Sequence, residues 1–154
     1  MDVDPRVCQC VIDRWEKLTG NVKEKLDIFK TLLTTVVDDS KTLHEKIDIP
    51  WDSINRFGGD RHIAKKIISL FYPEKVFPIF NTRHFEFFSS KLGLDLHRIM
   101  KKRFQKDYED ATVGEKFEAF NEALLEWKEK NSPSLDNLVL AASARSHSQP
   151  ACRD

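Results

Sequence analysis

The chain is 154 residues long, with 40% hydrophobic and 32% charged residues, and its 25 basic and 25 acidic side chains give a formal net charge of zero. That length suits a single domain with a real core, and the composition argues against long disorder. No apolar run reaches the roughly 18 residues a membrane helix needs, and the start MDVDPRVCQC lacks the basic and apolar regions of a signal peptide, so a cytoplasmic protein without membrane contact is expected.

Val7, Val11, Trp15 and Leu18 recur at helical spacing before Gly20, and predict a first helix. A stronger stripe follows in Val22, Leu26, Phe29, Leu32, Leu33, Val36 and Val37, and is expected to be buried on one face. Ser40 is placed as the cap of a short helix ending near Ile47, after which Pro50 forces a turn. Trp51 to Phe57 reads as a short helix, Gly58-Gly59-Asp60 as a tight turn, and Ile63, Ile67, Ile68 and Phe71 as a helix that Pro73 ends. Phe77-Pro78-Ile79-Phe80 is too broken for a strand. Asn81 or Thr82 caps a helix carrying Phe85, Phe88 and Leu92 and stopped by Gly93. Asp95 caps another, with Leu96, Ile99, Met100 and Phe104 inward. Thr112 and Glu115 form a capping box for a long helix lined by Phe117, Phe120, Leu124 and Trp127. Leu135, Leu138 and Leu140 suggest a closing helix. The expectation is an all-α, compact orthogonal domain of about seven helices over residues 1–141, with 142–154 a disordered or artificial tail.

The zero charge conceals an uneven distribution. Residues 1–60 hold 9 basic against 12 acidic side chains, 61–107 hold 11 against 4, and 108–154 hold 5 against 9. Within the basic third, Arg98, Lys101, Lys102 and Lys106 repeat every three to four residues and line one helix face, which suits phosphate contact more than base reading. Arg61, Lys65 and Arg83 around the glycine turn are taken as further nucleic-acid contacts.

Between Ile54 and Leu94 two short helices meet at Gly58-Gly59-Asp60, with the small residue Ala64 six positions after Gly58. Phe77-Pro78-Ile79-Phe80-Asn81-Thr82-Arg83-His84 then leads into a helix ending Leu92-Gly93-Leu94. This run resembles the helix-hairpin-helix DNA glycosylase superfamily, in which backbone N–H groups of the hairpin hold a DNA phosphate. The resemblance implies a catalytic lysine position at His62 and a catalytic aspartate position at Asn81. His62 is a poor Schiff-base former, and Asn81 has no charge to stabilise a cationic sugar. Asp60 replaces the hairpin's second glycine. It is expected to cap the following helix and to repel a phosphate there.

Tyr72-Pro73-Glu74-Lys75-Val76-Phe77-Pro78-Ile79-Phe80-Asn81-Thr82-Arg83 is also similar to a segment of small helical domains in restriction-associated and uncharacterised prokaryotic proteins, which keep the glycosylase scaffold without its chemistry. The resemblance therefore implies a degenerate helix-hairpin-helix and a non-catalytic module binding DNA through its phosphates, in a repair or restriction setting. The alternatives are a base-excision enzyme using His62 or His84 with Asp60, and a protein-interaction domain using Phe85, Phe87 and Phe88. A protein partner or a fused domain goes with the last of these.

No metal or cofactor is expected. His44, His62, His84, His97 and His147 form no ligand motif, and Cys8, Cys10 and Cys152 are read as reduced thiols, because residues two apart on a helix point about 200° away from each other. No phosphate-binding loop or nucleophile elbow occurs.

Overall fold

A computed structural model of the chain describes residues 22–54, 57–137 and 139–141. The predicted first helix, the tail from 142, Leu138, Cys8, Cys10, Cys152 and His147 lie outside the described residues. Six α-helices and one 3-10 turn follow in order: α1 Val22–Val36, α2 Leu43–Ile47, the turn Trp51–Ser53, α3 His62–Phe71, α4 Thr82–Leu92, α5 Leu96–Phe104 and α6 Val113–Asn131. No strand occurs among the described residues. The fold is all-α, as the apolar periodicity predicts.

The longest helix among the described residues is α6. α6 buries Phe117, Ala119, Phe120, Ala123 and Leu124, and packs against α2, α4 and α5. Phe85 of α4 stacks on Phe120 with ring centroids 4.5 Å apart. The connection Val76-Phe77-Pro78-Ile79 runs through the interior without forming a strand: Val76, Phe77 and Ile79 are buried, and the Phe77 N–H donates to the Asn121 side chain at 2.7 Å. A buried backbone donor outside regular structure needs such a partner.

α2 is only five residues long and is held at both ends. Thr42 and Glu45 make a capping box at its start, and the His44 N–H donates to Glu118 of α6 at 2.7 Å. At its end Asp48 accepts from the Thr112 hydroxyl at 2.5 Å and from the Gly114 N–H at 2.8 Å. The helices approach so closely there that a Cβ on Gly114 would meet Asp48 and the His44 carbonyl at 2.5 Å. Asn137 completes the closure, accepting from Lys128 and donating to the Pro73 carbonyl, and residues 137 and 139–141 are helical.

Three local expectations are corrected. Ser40 does not cap α2; its hydroxyl bonds Asp38, and Thr42 caps because Glu45 stands three residues on to complete the box. The stretch from Trp51 makes one 3-10 turn instead of a longer helix, with Trp51 fully buried. Pro50 and the glycine turn leave too few residues for more. In the α1 stripe Leu32 and Val36 are buried, but Leu26 and Val37 are 52% and 40% exposed.

Candidate functional site

The glycine turn and the starts of α3 and α4 meet at one carboxylate. Gly59 has φ +62° and Arg61 φ +56°, and the Arg61 N–H closes the turn onto the Gly58 carbonyl at 3.3 Å. A left-handed conformation at a non-glycine residue costs about 1–2 kcal/mol. Just before Arg61, Asp60 reaches both α3 and the start of α4. Asp60 accepts from Lys65 Nζ at 2.8 Å, from the Thr82 N–H at 2.8 Å and from the Thr82 hydroxyl, and it meets His62 Nε2 at 3.0 Å.

Lys65 is the other half of this hub. It is fully buried, and its three donors go to Asp60, to the Phe80 carbonyl at 2.9 Å and to Thr82 at 3.1 Å. The rings of Phe85 and Phe117 flank the ammonium at 5.0 and 5.5 Å to their centroids. An ammonium has three donors, so this coordination is complete. Burial pushes the Lys65 pKa down, opposed by the hydrogen bond and charge of Asp60. For Asp60, burial raises the pKa, but hydrogen bonds from Lys65 and Thr82 outweigh it and hold the carboxyl below its ordinary value.

Two expectations about Asp60 therefore change. It does not cap α3: Arg61 occupies that position, and no side chain caps the helix. Nor does Asp60 present an unbalanced negative charge at the turn, because Lys65 neutralises it from within. α4 is instead gripped twice, by Asp60 on the Thr82 N–H and by Asn81 on the Arg83 N–H at 2.9 Å. Asn81 is thus the helix cap the sequence suggests. His62 is half exposed and bonded to Asp60, so both positions matching the glycosylase pair make structural contacts at this hub.

The expected nucleic-acid contacts separate into groups. Lys65 is withdrawn into the core. Arg61 folds back beneath the turn, its side chain 18% exposed, with Nη2 3.3 Å from Asp52 and Nη1 buried without a hydrogen-bond partner. On α5 and just beyond it, Lys101 pairs with Asp107 at 2.9 Å and Lys106 with Glu115 at 2.6 Å, while Arg103 pairs with Glu118 and Glu122. Arg98 and Lys102 are exposed without an ion pair among the described residues, but they share a cleft with Glu122 and Glu126. Two of the four cations read as a phosphate-binding stripe, Lys101 and Lys106, are therefore neutralised by acids of the loop between α5 and α6 and of α6. Of the aromatics offered for protein interaction, Phe85 and Phe88 belong to the core and Phe87 is 38% exposed.

Arg83 keeps its expected exposure, in the first turn of α4 beside exposed His84. Lys66 of α3, which the sequence pattern does not single out, is exposed nearby, its Nζ 6.0 Å from the Phe80 ring centroid. Neither Arg83 nor Lys66 has a carboxylate partner among the described residues. The first turns of α3, α4 and α5 contain no acidic residue, whereas those of α1, α2 and α6 each do. Helix N-termini are positive ends, so cations placed there add to the field instead of cancelling it.

Among the described residues no group of three His, Cys, Asp or Glu side chains could hold a metal ion, and no helix is long and apolar enough to cross a membrane. Comparison of the chain with known protein families, with curated proteins and with solved structures finds no match.

Proposed function

We propose that the chain is a non-catalytic helical module that binds nucleic-acid backbone phosphates where α3 and α4 begin, in keeping with its resemblance to scaffold-only relatives of DNA glycosylases. One observation carries this reading. The Asp60–Lys65 pair ties the start of α4 to α3 while neutralising Asp60, Asp52 at the same turn faces Arg61 at 3.3 Å, and the exposed Arg83 and Lys66 nearby have no carboxylate partner among the described residues. The start of α3, which no side chain caps, offers N–H donors to an anion, while the start of α4, already capped by Asn81 and Asp60, contributes the unpaired Arg83.

The test is duplex DNA affinity measured across a salt series. Arg83→Glu with Lys66→Glu is expected to weaken binding and to lower the salt slope by about 2, roughly one for each phosphate no longer neutralised. Lys101→Glu with Lys106→Glu is expected to matter less, because those cations already have acidic partners. Absence of binding at low salt, or a larger effect from the α5 pair than from the hairpin pair, refutes the reading.

A further inference from the structure

Two lysines are buried among the described residues, and they are treated differently. Lys65 has a carboxylate and a full set of acceptors. Lys46 of α2, 3% exposed, donates to the Tyr72 hydroxyl at 2.6 Å and lies 4.0 Å from the centroid of the same ring. Among the described residues no carboxylate is within ion-pair distance of its Nζ. Asp39 and Asp38 act on it only from beyond that distance, and Asp39 accepts from the Tyr72 O–H at 2.9 Å. A buried ammonium that meets only a neutral oxygen is costly, and such groups ordinarily have a counter-ion.

Lys46 lines a groove of about 450 Å³ between α2, the turn after α3 and the outer half of α6. That volume is within the range of small-ligand sites. Asp39 lines it too, as do Arg103 and the two acids it pairs with, Glu118 and Glu122. Its remaining charged groups are Lys41 and Lys75, and Glu126 and Glu129 of α6. None of these four has an ion pair among the described residues. Leu43 and Leu125 supply apolar lining. A simple anion satisfies Lys46 but is repelled by the α6 glutamates, and a simple cation meets the reverse problem. A ligand carrying both charges satisfies both walls.

We propose that this groove binds a small zwitterion, with its carboxylate against Lys46 and Lys75 and its ammonium against Glu126 and Glu129. The chemical class is a free α-amino acid or a short peptide with free termini. The site is distinct from the hairpin end and does not depend on the nucleic-acid reading.

The experiment follows backbone amide chemical shifts of the full chain at constant ionic strength. L-Leucine and L-leucyl-L-leucine are the probes, with acetate and n-butylamine as single-charge controls. One zwitterion is expected to give saturable shifts at Thr42, Lys46 and Lys75, binding at least about tenfold more tightly than either control; which of the two does so distinguishes amino acid from peptide. Lys46→Met keeps the stem on the Tyr72 ring and removes the charge, so it is expected to abolish the shifts without lowering the unfolding temperature. Glu126→Gln with Glu129→Gln, on an exposed and a partly open stretch of α6, is expected to weaken binding by about tenfold with the fold intact. No saturable shift from either zwitterion, shifts reproduced by acetate alone, or binding retained in Lys46→Met overturns the proposal.

Discussion

Asp60→Asn tests whether the hub at the hairpin is an ion pair on which the fold depends. Asparagine is nearly isosteric, and its carbonyl oxygen can still accept from the Thr82 N–H. The substitution therefore removes charge while sparing most of the geometry. What remains is Lys65, fully buried, with neutral acceptors only, from Phe80 and Thr82. Stripping a buried charge of its partner costs about 3–5 kcal/mol. Asp60 is 27% exposed, so water can reach the site in part, and the expected loss is about 3 kcal/mol, the low end of that range. For a chain of this size each kcal/mol moves the unfolding temperature by about 2–4 °C, so a fall of roughly 6–12 °C is expected in a thermal scan.

Lys65→Met is the matched control. It removes the buried charge altogether and leaves Asp60 partly hydrated, with its Thr82 and His62 bonds. Replacing a buried ion by an apolar side chain is often close to neutral, and leaving the Phe80 carbonyl without its donor costs about 1 kcal/mol. Chemical denaturation of both variants gives the comparison directly. If Asp60→Asn destabilises no more than Lys65→Met, Lys65 is not a buried cation dependent on Asp60, and the account of the hub fails.

Three further outcomes follow from the same geometry. Gly114→Ala places a methyl group 2.5 Å from Asp48 and the His44 carbonyl, and forced overpacking of this kind costs about 1–3 kcal/mol, read as a lowered denaturation midpoint with α2 the first element to lose amide protection. Phe85→Ala, at a fully buried ring stacked on Phe120, is expected to cost about 3–5 kcal/mol by the same measurement. Asp60 and Glu115 both have folded-state pKa values below their ordinary 3.8 and 4.5, so their contributions are complete above those values and disappear as pH falls through the lower folded ones. The acid limb of stability against pH should therefore flatten in Asp60→Asn and in Glu115→Gln, and an unchanged limb in both contradicts the assignment.

What the sequence makes legible is local. Apolar stripes place α1 and α3 to α6. Asn81, Asp95 and Thr112 cap the helices they precede, and Gly93, at φ +67°, closes α4. Each of these features acts within three or four residues, where pattern rules hold. Thr42 is equally legible, because Glu45 completes its capping box, but the earlier Ser40 competes for the same role. Lys65 also carries a signal: Ala64, Lys65 and Ile68 form the inward stripe of α3, so a lysine stands at a core position. Its partners are not legible. Thr82 is seventeen residues away, and Asp60 belongs to a turn with left-handed residues at Gly59 and Arg61.

The charge pattern shows most clearly why counting residues along the chain falls short. The excess of cations in residues 61–107 is real, and so are the acidic segments on either side. The fold lays the acidic start of α6 against α5, where Glu115, Glu118 and Glu122 take up Lys106 and Arg103 across separations of 9 to 19 residues. A linear window cannot see such pairs, so it credits α5 with a field that its partners cancel. The turn before α3 errs in the opposite direction: the sequence charges it with Asp60, and the fold removes that charge by burying Lys65 beside it. Arg98 and Lys102 of α5 keep no ion pair among the described residues, and at the hairpin Arg83 and Lys66 keep none either. Arg83 stands in the first turn of α4, where the backbone dipole adds to its field.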